Sequence, residues 1–475
     1  MSVQRSSITV FSSQIGITIL GFISMIYFAR ILGAEILGIY FVYMATFNLI
    51  MMFMDAGLSA GTVKRISEGE DEDEFFTASL LMHTLTLAIA IVFLYLMRGW
   101  IDDYVGAPIW HLLALSLILI RYAQLIRSTL TGKKKVGLSY AINFVEQLVK
   151  IILQLILIAL GYQIYGLVGG LCIALFVNIP LGLRFIDLKL KRPKIHHVRS
   201  IFAYSKYAFP VTFNEYLYQS MDILVIGLLL PKFYSGIYGA SWSFSSVAVL
   251  GTVAISSTIF PYISGWSSKG QIDHIKNVVS EAITYSLMLA IPIFAGVLVF
   301  SEGLLHYAYG ETFSIGWLTL IVLTGARMVE AVQIIVRGTL AGMDRPDLVL
   351  KITCVTIPLN LIGNFILVYS VGMVGAAIAT LVTVAVSLKL SMRYSKGIIS
   401  FQVPWDDIKD ESISAIIMIS ITLVALHFAP ANSLVALAAY TIFGGAIYFT
   451  SLIIINERIR NKMRSLFLGN IYKFF

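Results

Sequence analysis

The sequence predicts an all-α polytopic membrane protein with fourteen transmembrane helices, forming two pseudo-symmetric six-helix lobes plus two extra C-terminal helices. Hydrophobic residues make up 58% of its 475 residues and charged residues only 13%, whereas soluble domains carry about 25% charged residues. The mean hydropathy is +0.86, and apolar runs of about 20 residues, the length that crosses a bilayer, recur along the chain. Short motifs also occur twice, which indicates an internal repeat.

The first apolar run begins shortly after the N-terminus and is interpreted as a retained transmembrane span. No small-residue cleavage site follows it, so it does not fit a signal peptide. Cys172 and Cys354 both lie within later apolar runs, which argues against a disulfide framework. In chain order, the predicted spans cover residues 8–29, 38–61, 75–97, 109–130, 138–160, 167–186, 208–230, 236–262, 279–300, 317–338, 349–370, 373–394, 412–430 and 433–455.

Basic residues are concentrated on one side of the predicted membrane. The turns of the other side hold only Arg30, Arg98 and Lys232, whereas Lys133–Lys135 and residues 458–464 belong to dense basic clusters. The positive-inside rule therefore places both termini in the cytoplasm and the protein in the cell (cytoplasmic) membrane. This distribution explains the net charge of +8 without a nucleic-acid partner, and membrane lipid is an expected contact.

Three motifs occur twice in the same order, each pair at the same place within a six-span unit. Because six is an even number, both units enter the membrane from the cytoplasm, as in a parallel repeat. The pairs are Gly38–Tyr40 with Gly236–Tyr238, Arg127–Gly132 with Arg337–Gly342, and Gly166–Gly169 with Gly372–Gly375. The predicted domains are an N-lobe over residues 1–190, a basic cytoplasmic linker over 191–206, a C-lobe over 207–395, a second cytoplasmic linker over 396–411, and two helices with a basic tail over 412–475.

The seventh span carries four polar side chains at positions i, i+3, i+4 and i+7, which share one helical face. They are Glu215, Tyr218, Gln219 and Asp222. Each ionised acid near the middle of a membrane costs roughly 2.5–3.5 kcal/mol, so this face must look into the bundle or a wet cavity. We predict that Glu215 and Asp222 bind a coupling ion, either a proton or sodium. The alternative is that both acids are structural partners of neighbouring groups.

Basic and amide side chains inside the spans form a second set of candidate ligands, since such residues are costly in a bilayer and mark substrate pathways. Local ion pairs are the alternative. Glu146 lies four residues before Lys150, and Glu330 lies three residues after Arg327. Arg30 lies at the outer end of its span, where it can instead anchor at the interface. The predicted ligands are Arg30, Arg121, Lys150, Arg327, Asn143 and Gln147.

An enzymatic function is not expected. The run Asp71-Glu72-Asp73 matches an acid-x-acid pattern with which many glycosyltransferases hold a metal and a sugar nucleotide, but it lies in a short cytoplasmic turn. No outside loop is longer than residues 301–316, which leaves no room for a catalytic domain. The chain has no metal-ligand spacing, phosphate-cradling loop or nucleophile constellation. We therefore predict no catalytic residues, no metal site and no cofactor.

Several segments resemble polysaccharide-exporter (Wzx-like) flippases of the multidrug/oligosaccharidyl-lipid/polysaccharide exporter superfamily. Ala29–Tyr40, followed by Asp55–Ser59 and Lys64-Arg65, is similar to their first hairpin. Met221–Leu224, which leads to Gly236–Tyr238, is similar to their seventh helix. The resemblance covers essentially the whole chain. It implies two six-helix lobes around a central cavity that opens alternately to either side, and a substrate of sugars linked through phosphate to a polyprenol.

The resemblance implies a flippase that moves a polyprenyl-(pyro)phosphate-linked oligosaccharide from the cytoplasmic to the outer leaflet. The candidate ligands suit this substrate, because Arg and Lys bind phosphate while Asn and Gln hydrogen-bond sugar hydroxyls. A monomer is expected.

The alternative transporter is a cation-coupled multidrug exporter of the MATE type, with Glu215 and Asp222 at its centre. MATE-type members typically stop at twelve helices, so the extra pair at 412–430 and 433–455 favours the lipid-carrier branch, where such helices are associated with a groove for the lipid tail. A scaffold without transport is a third possibility, against which the costly charges inside the membrane argue.

Overall fold

The computed structural model describes the backbone of residues 3–462 and the side chains of residues 16–17, 20–209 and 220–462. Within these residues the chain forms α-helices and two short 3-10 helices, without a β-strand. Twelve helical segments of the described part are long and apolar enough to cross a membrane. The protein is therefore an all-helical polytopic membrane protein, which confirms the predicted class.

Nearly all of the described chain is helical. Two 3-10 helices, Ser246–Val249 and Glu311–Gly316, each lead directly into an α-helix. The α-helices are α1 (Val3–Asp55), α2 (Leu58–Ser67), α3 (Glu72–Leu96), α4 (Arg98–Val105), α5 (Trp110–Gly132), α6 (Val136–Ala159), α7 (Gln163–Leu183), α8 (Ile195–Leu229), α9 (Lys232–Ser245), α10 (Leu250–Ser268), α11 (Ile272–Tyr309), α12 (Trp317–Gly342), α13 (Pro346–Val371), α14 (Met373–Lys396), α15 (Trp405–Phe428) and α16 (Leu434–Ile455).

The described helices do not match the fourteen predicted spans one for one. The first predicted span, 8–29, and most of the second, 38–61, lie in α1, whose helical geometry is broken at Gly33 by a φ of 73°. Glycine tolerates this left-handed φ because it has no Cβ. The seventh predicted span, 208–230, lies in α8, where the side chains of residues 210–219 are outside the described set. The count of fourteen stays a prediction.

Contacts between helices divide the chain into two compact units, Met1–Gly239 and Ala240–Phe475. In the first unit, α7 packs against α5 and α6, and α1 packs against α6 and α8. Helix α8 also packs against α2 and α3. The internal repeat assigns most of α8 to the second half of the sequence. The predicted boundary between the lobes, which follows the sequence repeat, therefore differs from the boundary between the two contact units. The lobe boundaries stay a prediction.

The repeated Gly-Ile-Tyr motif has a packing explanation within the first unit. A Cβ on Gly38 would lie 1.7 Å from the carbonyl oxygen of Lys232, and a Cβ on Gly236 would lie 1.9 Å from that of Ala34. Both distances are far below van der Waals contact. The two copies of the motif therefore pack backbone against backbone, and only glycine fits at either position.

The second unit is built around α11, α12 and α14. Helix α14 packs against α12 and α13, while α11 packs against α12. The C-terminal helices α15 and α16 pack against each other and against α11, through a core that includes Met418, Tyr448 and Leu452. Helix α15 begins at Trp405, inside the predicted cytoplasmic linker, so the acidic residue Glu411 is helical and buried.

Candidate functional site

Three of the predicted ligands lie on one stripe of α6 in the first unit. Asn143, Gln147 and Lys150 follow a spacing of i, i+4 and i+7, so they share one face of the helix. Each side chain is partly exposed. The stripe combines two amide groups with one cation, which are groups that can bind hydroxyls and an anion, respectively.

The local ion pair of Glu146 with Lys150, the alternative to a role of Lys150 in binding, is not formed within 4.0 Å, and Glu146 instead contacts two other helices. Arg127 on α5 donates to Glu146 Oε2 at 2.7 Å, and Asn178 on α7 donates to the same oxygen. Among the described residues, no acidic oxygen lies within 4.0 Å of Lys150 Nζ. The buried acid is thus neutralised by a cation of another helix.

Arg121 is fully buried within the first unit, and its guanidinium contacts α1 and α3. Its guanidinium donates to Asp55 Oδ1 at 3.1 Å, to the carbonyl oxygen of Met54 at 2.8 Å and to Thr86 Oγ1 at 3.0 Å. The turn between α1 and α2, in which Gly57 has a φ of 80°, follows Asp55 directly. This arrangement is a buried ion pair within the first unit.

Of the two predicted ion-coupling acids, the structure describes the side chain of Asp222. It is buried and accepts a hydrogen bond from the hydroxyl of Tyr238, the last residue of the second Gly-Ile-Tyr motif. The side chain of Glu215 lies outside the described residues. The first unit therefore gives Asp222 a neutral donor, while the ion site as a whole stays a prediction.

Arg327 lies on α12 in the second unit and is almost fully buried. Its Nη1 donates to Glu330 Oε2 at 2.5 Å, so the local pair that the spacing indicates is formed. Its guanidinium also lies 3.9 Å from the ring centroid of Trp242, a cation–π contact. The remaining predicted ligand, Arg30, is exposed on α1, close to the Gly33 break.

The acid-x-acid run binds the linker that precedes α8. Asp73 accepts from the backbone N–H of Lys189 at 3.0 Å and pairs with Lys191 Nζ at 2.8 Å. Glu72 pairs with Lys133 Nζ at 2.5 Å. The hydrogen bond to Asp73 raises the pKa of Lys191 above its ordinary value. Glu72 and Asp73 therefore bind lysine side chains and a backbone N–H group rather than forming a site for a metal and a nucleotide.

Asp71, His196 and His197 bring possible metal-ligand atoms within 4.8 Å of one another. The backbone N–H of Lys194 donates to His197 Nδ1 at 2.9 Å, which leaves the proton of the neutral ring on Nε2. That Nε2 faces Asp71 Oδ2 at 3.2 Å. A metal ion requires an unprotonated ring nitrogen, so this geometry favours a hydrogen bond over a metal ion.

Several residues of these networks carry no clear signal in the sequence. Arg127 and Asn178 lie on different helices from Glu146, and only tertiary packing brings the three together. Trp242 is likewise distant in sequence from Arg327. Glu411 did offer a signal, because it follows Asp407 by four residues on one face of the helix and directly precedes the apolar part of α15.

A family described as polysaccharide biosynthesis protein matches residues 3–266, and the MatE family matches residues 209–366. Two similar proteins come from Haloferax volcanii. The first, named "probable low-salt glycan biosynthesis flippase Agl15", is 32% identical over 95% of this chain and 95% of its own length. The second, named "probable flippase AglR", is 24% identical over 97% of this chain and 98% of its own length.

Solved structures match the fold at low sequence identity. A structure of the lipid II flippase MurJ in an inward closed conformation has a TM-score of 0.82 at 17% identity, covering 96% of this chain and 100% of MurJ. An inward-facing multidrug resistance MATE family transporter has a TM-score of 0.66 at 14% identity, covering 80% of this chain and 95% of its own. These likenesses establish the fold.

Proposed function

Because the chain belongs to the polysaccharide biosynthesis protein family, we propose that it is a flippase for a polyprenyl-(pyro)phosphate-linked oligosaccharide. It moves this lipid from the cytoplasmic to the outer leaflet by alternating access. The relative named as a glycan biosynthesis flippase supports this substrate class. Such movement breaks no covalent bond, so the proposal includes neither a catalytic activity nor a cofactor.

The observation that carries the proposal is the partly exposed stripe of α6. Lys150 has no acidic partner within 4.0 Å among the described residues, because Glu146 is held by Arg127. A cation at membrane depth interacts more strongly with phosphate than it would in water, since the local dielectric is low. We assign the carrier's phosphate to Lys150 and sugar hydroxyls to Asn143 and Gln147.

The substrate class can be tested by analysing the lipid that co-purifies with the protein. Native mass spectrometry after gentle extraction is expected to detect a bound polyprenyl phosphate or pyrophosphate that carries sugars. The amount bound is expected to fall in Lys150→Gln and to stay unchanged in Lys134→Gln, which alters an exposed lysine in a turn. Preparations that retain only bulk phospholipid, equally in all three proteins, would contradict the proposal.

A cation-coupled multidrug exporter is the second candidate, favoured by the MatE match over residues 209–366. In that function Glu215 and Asp222 would bind the cationic drug or its coupling ion. In the flippase we propose that they bind a proton or sodium. Export of a carrier with charge about −2 is already downhill by ~4–5 kcal/mol per 100 mV of inside-negative potential. Unchanged pH and sodium dependence in Glu215→Gln and Asp222→Asn would exclude both ion roles.

Arg327 is proposed as a second phosphate ligand, together with Arg30, while the Asp55 contact supports a structural role for Arg121. Arg327→Lys keeps a charge beside Glu330 but loses the planar group that stacks on Trp242. We expect it to fold and to transport about 10-fold more slowly. The double variant Arg327→Gln with Glu330→Gln removes both charges, so we expect it to be stable and inactive.

The double variant separates the two roles of Arg327, because a purely structural ion pair becomes dispensable once both charges are removed. Recovery of expression together with normal transport would show that the arginine serves only to neutralise Glu330. Expression level and the initial rate of flipping are the two measurements.

We further propose fourteen transmembrane helices in two six-helix lobes plus two C-terminal helices, with both termini in the cytoplasm of a monomeric protein. Exposed positions suit a labelling test in a background lacking Cys172 and Cys354. Asp103→Cys is expected to react with an impermeant maleimide from outside intact cells, and Lys134→Cys only after permeabilisation. The reverse pattern would overturn the orientation. Light scattering of the purified protein tests the monomer.

A further inference from the structure

Glu411 lies in the core of the second unit and has no part in the proposed binding of substrate. Its side chain is 0% exposed, and neither carboxyl oxygen has a hydrogen-bond donor among the described residues. The apolar residues Ala415 and Met418 follow it on the same buried face of α15. An ionised carboxylate is strongly disfavoured in such a place, because the side chain is shielded from bulk solvent and forms no ion pair within 4.0 Å among the described residues.

The neighbouring acids on α15 are compensated, unlike Glu411. Asp407, one helical turn away, accepts hydrogen bonds from three side chains: Thr284 at 2.9 Å, Asn456 at 3.0 Å and Arg458 at 3.1 Å. Asp410 accepts from Asn456 at 2.9 Å. The donors at this end of the helix are therefore used by these two acids. Their negative charges oppose ionisation of Glu411 further.

The helices packed against α15 also leave Glu411 without a cation. On α16 the facing titratable group is Tyr448, whose buried hydroxyl has no partner among the described residues. On α11, the titratable residues Glu281 and Tyr285 both contact Lys462 beyond the end of α16. The Lys462 ammonium lies 2.6 Å from the Glu281 carboxylate and 5.3 Å from the ring centroid of Tyr285. Arg458 is engaged by Asp407.

We propose that Glu411 is a proton-binding site of the C-terminal helix pair. The carboxyl group is protonated while α15 packs against α11 and α16, and it releases its proton when this packing loosens and water reaches it. The packed state then binds a proton that the loosened state loses above about pH 4.3, the ordinary midpoint of an exposed glutamate. Rising pH therefore favours loosening, so the stability of the second unit falls with pH.

The test compares the thermal unfolding of the full-length protein in lipid nanodiscs between pH 5 and pH 8. As the pH rises from 5 to 8, the unfolding midpoint is expected to fall by about 4 °C more in the wild type than in Glu411→Gln. The variant carries no titratable group at this position. Glu457→Gln is the matched control, because that acid is highly exposed and pairs only with Arg460 among the described residues. It is expected to behave like the wild type.

Infrared spectroscopy supplies a measurement that does not depend on unfolding. A carbonyl stretch of a protonated carboxylic acid is expected at pH 7 in the wild type and in Glu457→Gln, and its loss is expected in Glu411→Gln. Glu411→Met, which fills the site with an apolar chain, serves if the glutamine variant does not fold. Equal pH dependence in the wild type and either Glu411 variant, with no change in this band, would refute the proton site. Neither readout involves the substrate, so the outcome is independent of the proposed function.

Discussion

Replacing Lys150 with glutamine is expected to lower the initial rate of lipid-linked oligosaccharide flipping by about 30-fold or more while leaving the protein folded. Loss of one partner from a hydrogen-bonded charge pair typically costs 2–5 kcal/mol, and the lower bound corresponds to about 30-fold. The variant leaves no acid unneutralised, because Arg127 and Asn178 already hold Glu146. The unfolding midpoint is therefore expected to change little.

Two further variants control for charge and position. Lys150→Arg retains the cation and is expected to keep most of the activity, whereas Lys134→Gln removes an exposed cation from a turn and is expected to be neutral. If the Lys150→Gln protein moves the lipid-linked oligosaccharide at the wild-type rate, Lys150 is not a ligand of the substrate. The main structural support for this substrate class would then be lost.

Replacing Arg121 with glutamine is expected to destabilise the first unit by about 3–5 kcal/mol, the usual effect of leaving one member of a buried ion pair uncompensated. Asp55 is buried and pairs with this guanidinium at 3.1 Å. Its charge would remain in the core when the cation is removed. The expected result is a sharp loss of folded protein, measured by size-exclusion chromatography during a heating series in detergent.

The control for this prediction is the exposed ion pair of Arg345 with Asp347, at 2.9 Å. Arg345→Gln is expected to leave the folded fraction nearly unchanged, because exposed pairs contribute little. Adding Asp55→Asn to Arg121→Gln removes the uncompensated charge and is expected to restore much of the folded fraction. A stable but inactive Arg121→Gln protein would instead identify Arg121 as a ligand of the substrate.

The helical class follows from composition alone, because only helices and closed barrels satisfy every backbone group in lipid. The Gly-Ile-Tyr repeat is visible in the sequence, but its cause is tertiary, since Gly38 and Gly236 occupy positions too close to the backbone of another helix for any side chain. The pair of Arg327 with Glu330, in contrast, was predictable from its local spacing. Residues three apart on a helix face each other, and no partner from another helix was required.

Pairing between helices was not predictable in this way. Glu146 is one turn from Lys150, yet it binds Arg127, because α5 and α7 place a guanidinium and an amide closer to its carboxylate. The partner of Arg121 lies on α1, far away in sequence. The charged segment before the thirteenth predicted span suggested a solvated linker, but the groups that compensate Asp407 come from α11 and from beyond the end of α16. In each case tertiary packing decided the outcome.

The flippase assignment is tested most directly by reconstituting the pure protein into liposomes that carry a short-chain polyprenyl-diphosphate oligosaccharide. An impermeant glycosidase added outside reports the glycans that reach the outer leaflet. With the wild type, the glycosidase is expected to cleave nearly all of the substrate rapidly. In protein-free liposomes it is expected to cleave only the half that faces outward at the start, and with Lys150→Gln the cleavage beyond this half is expected to be about 30-fold slower or more. A correctly folded and inserted wild-type protein with which cleavage never exceeds this half would contradict the assignment.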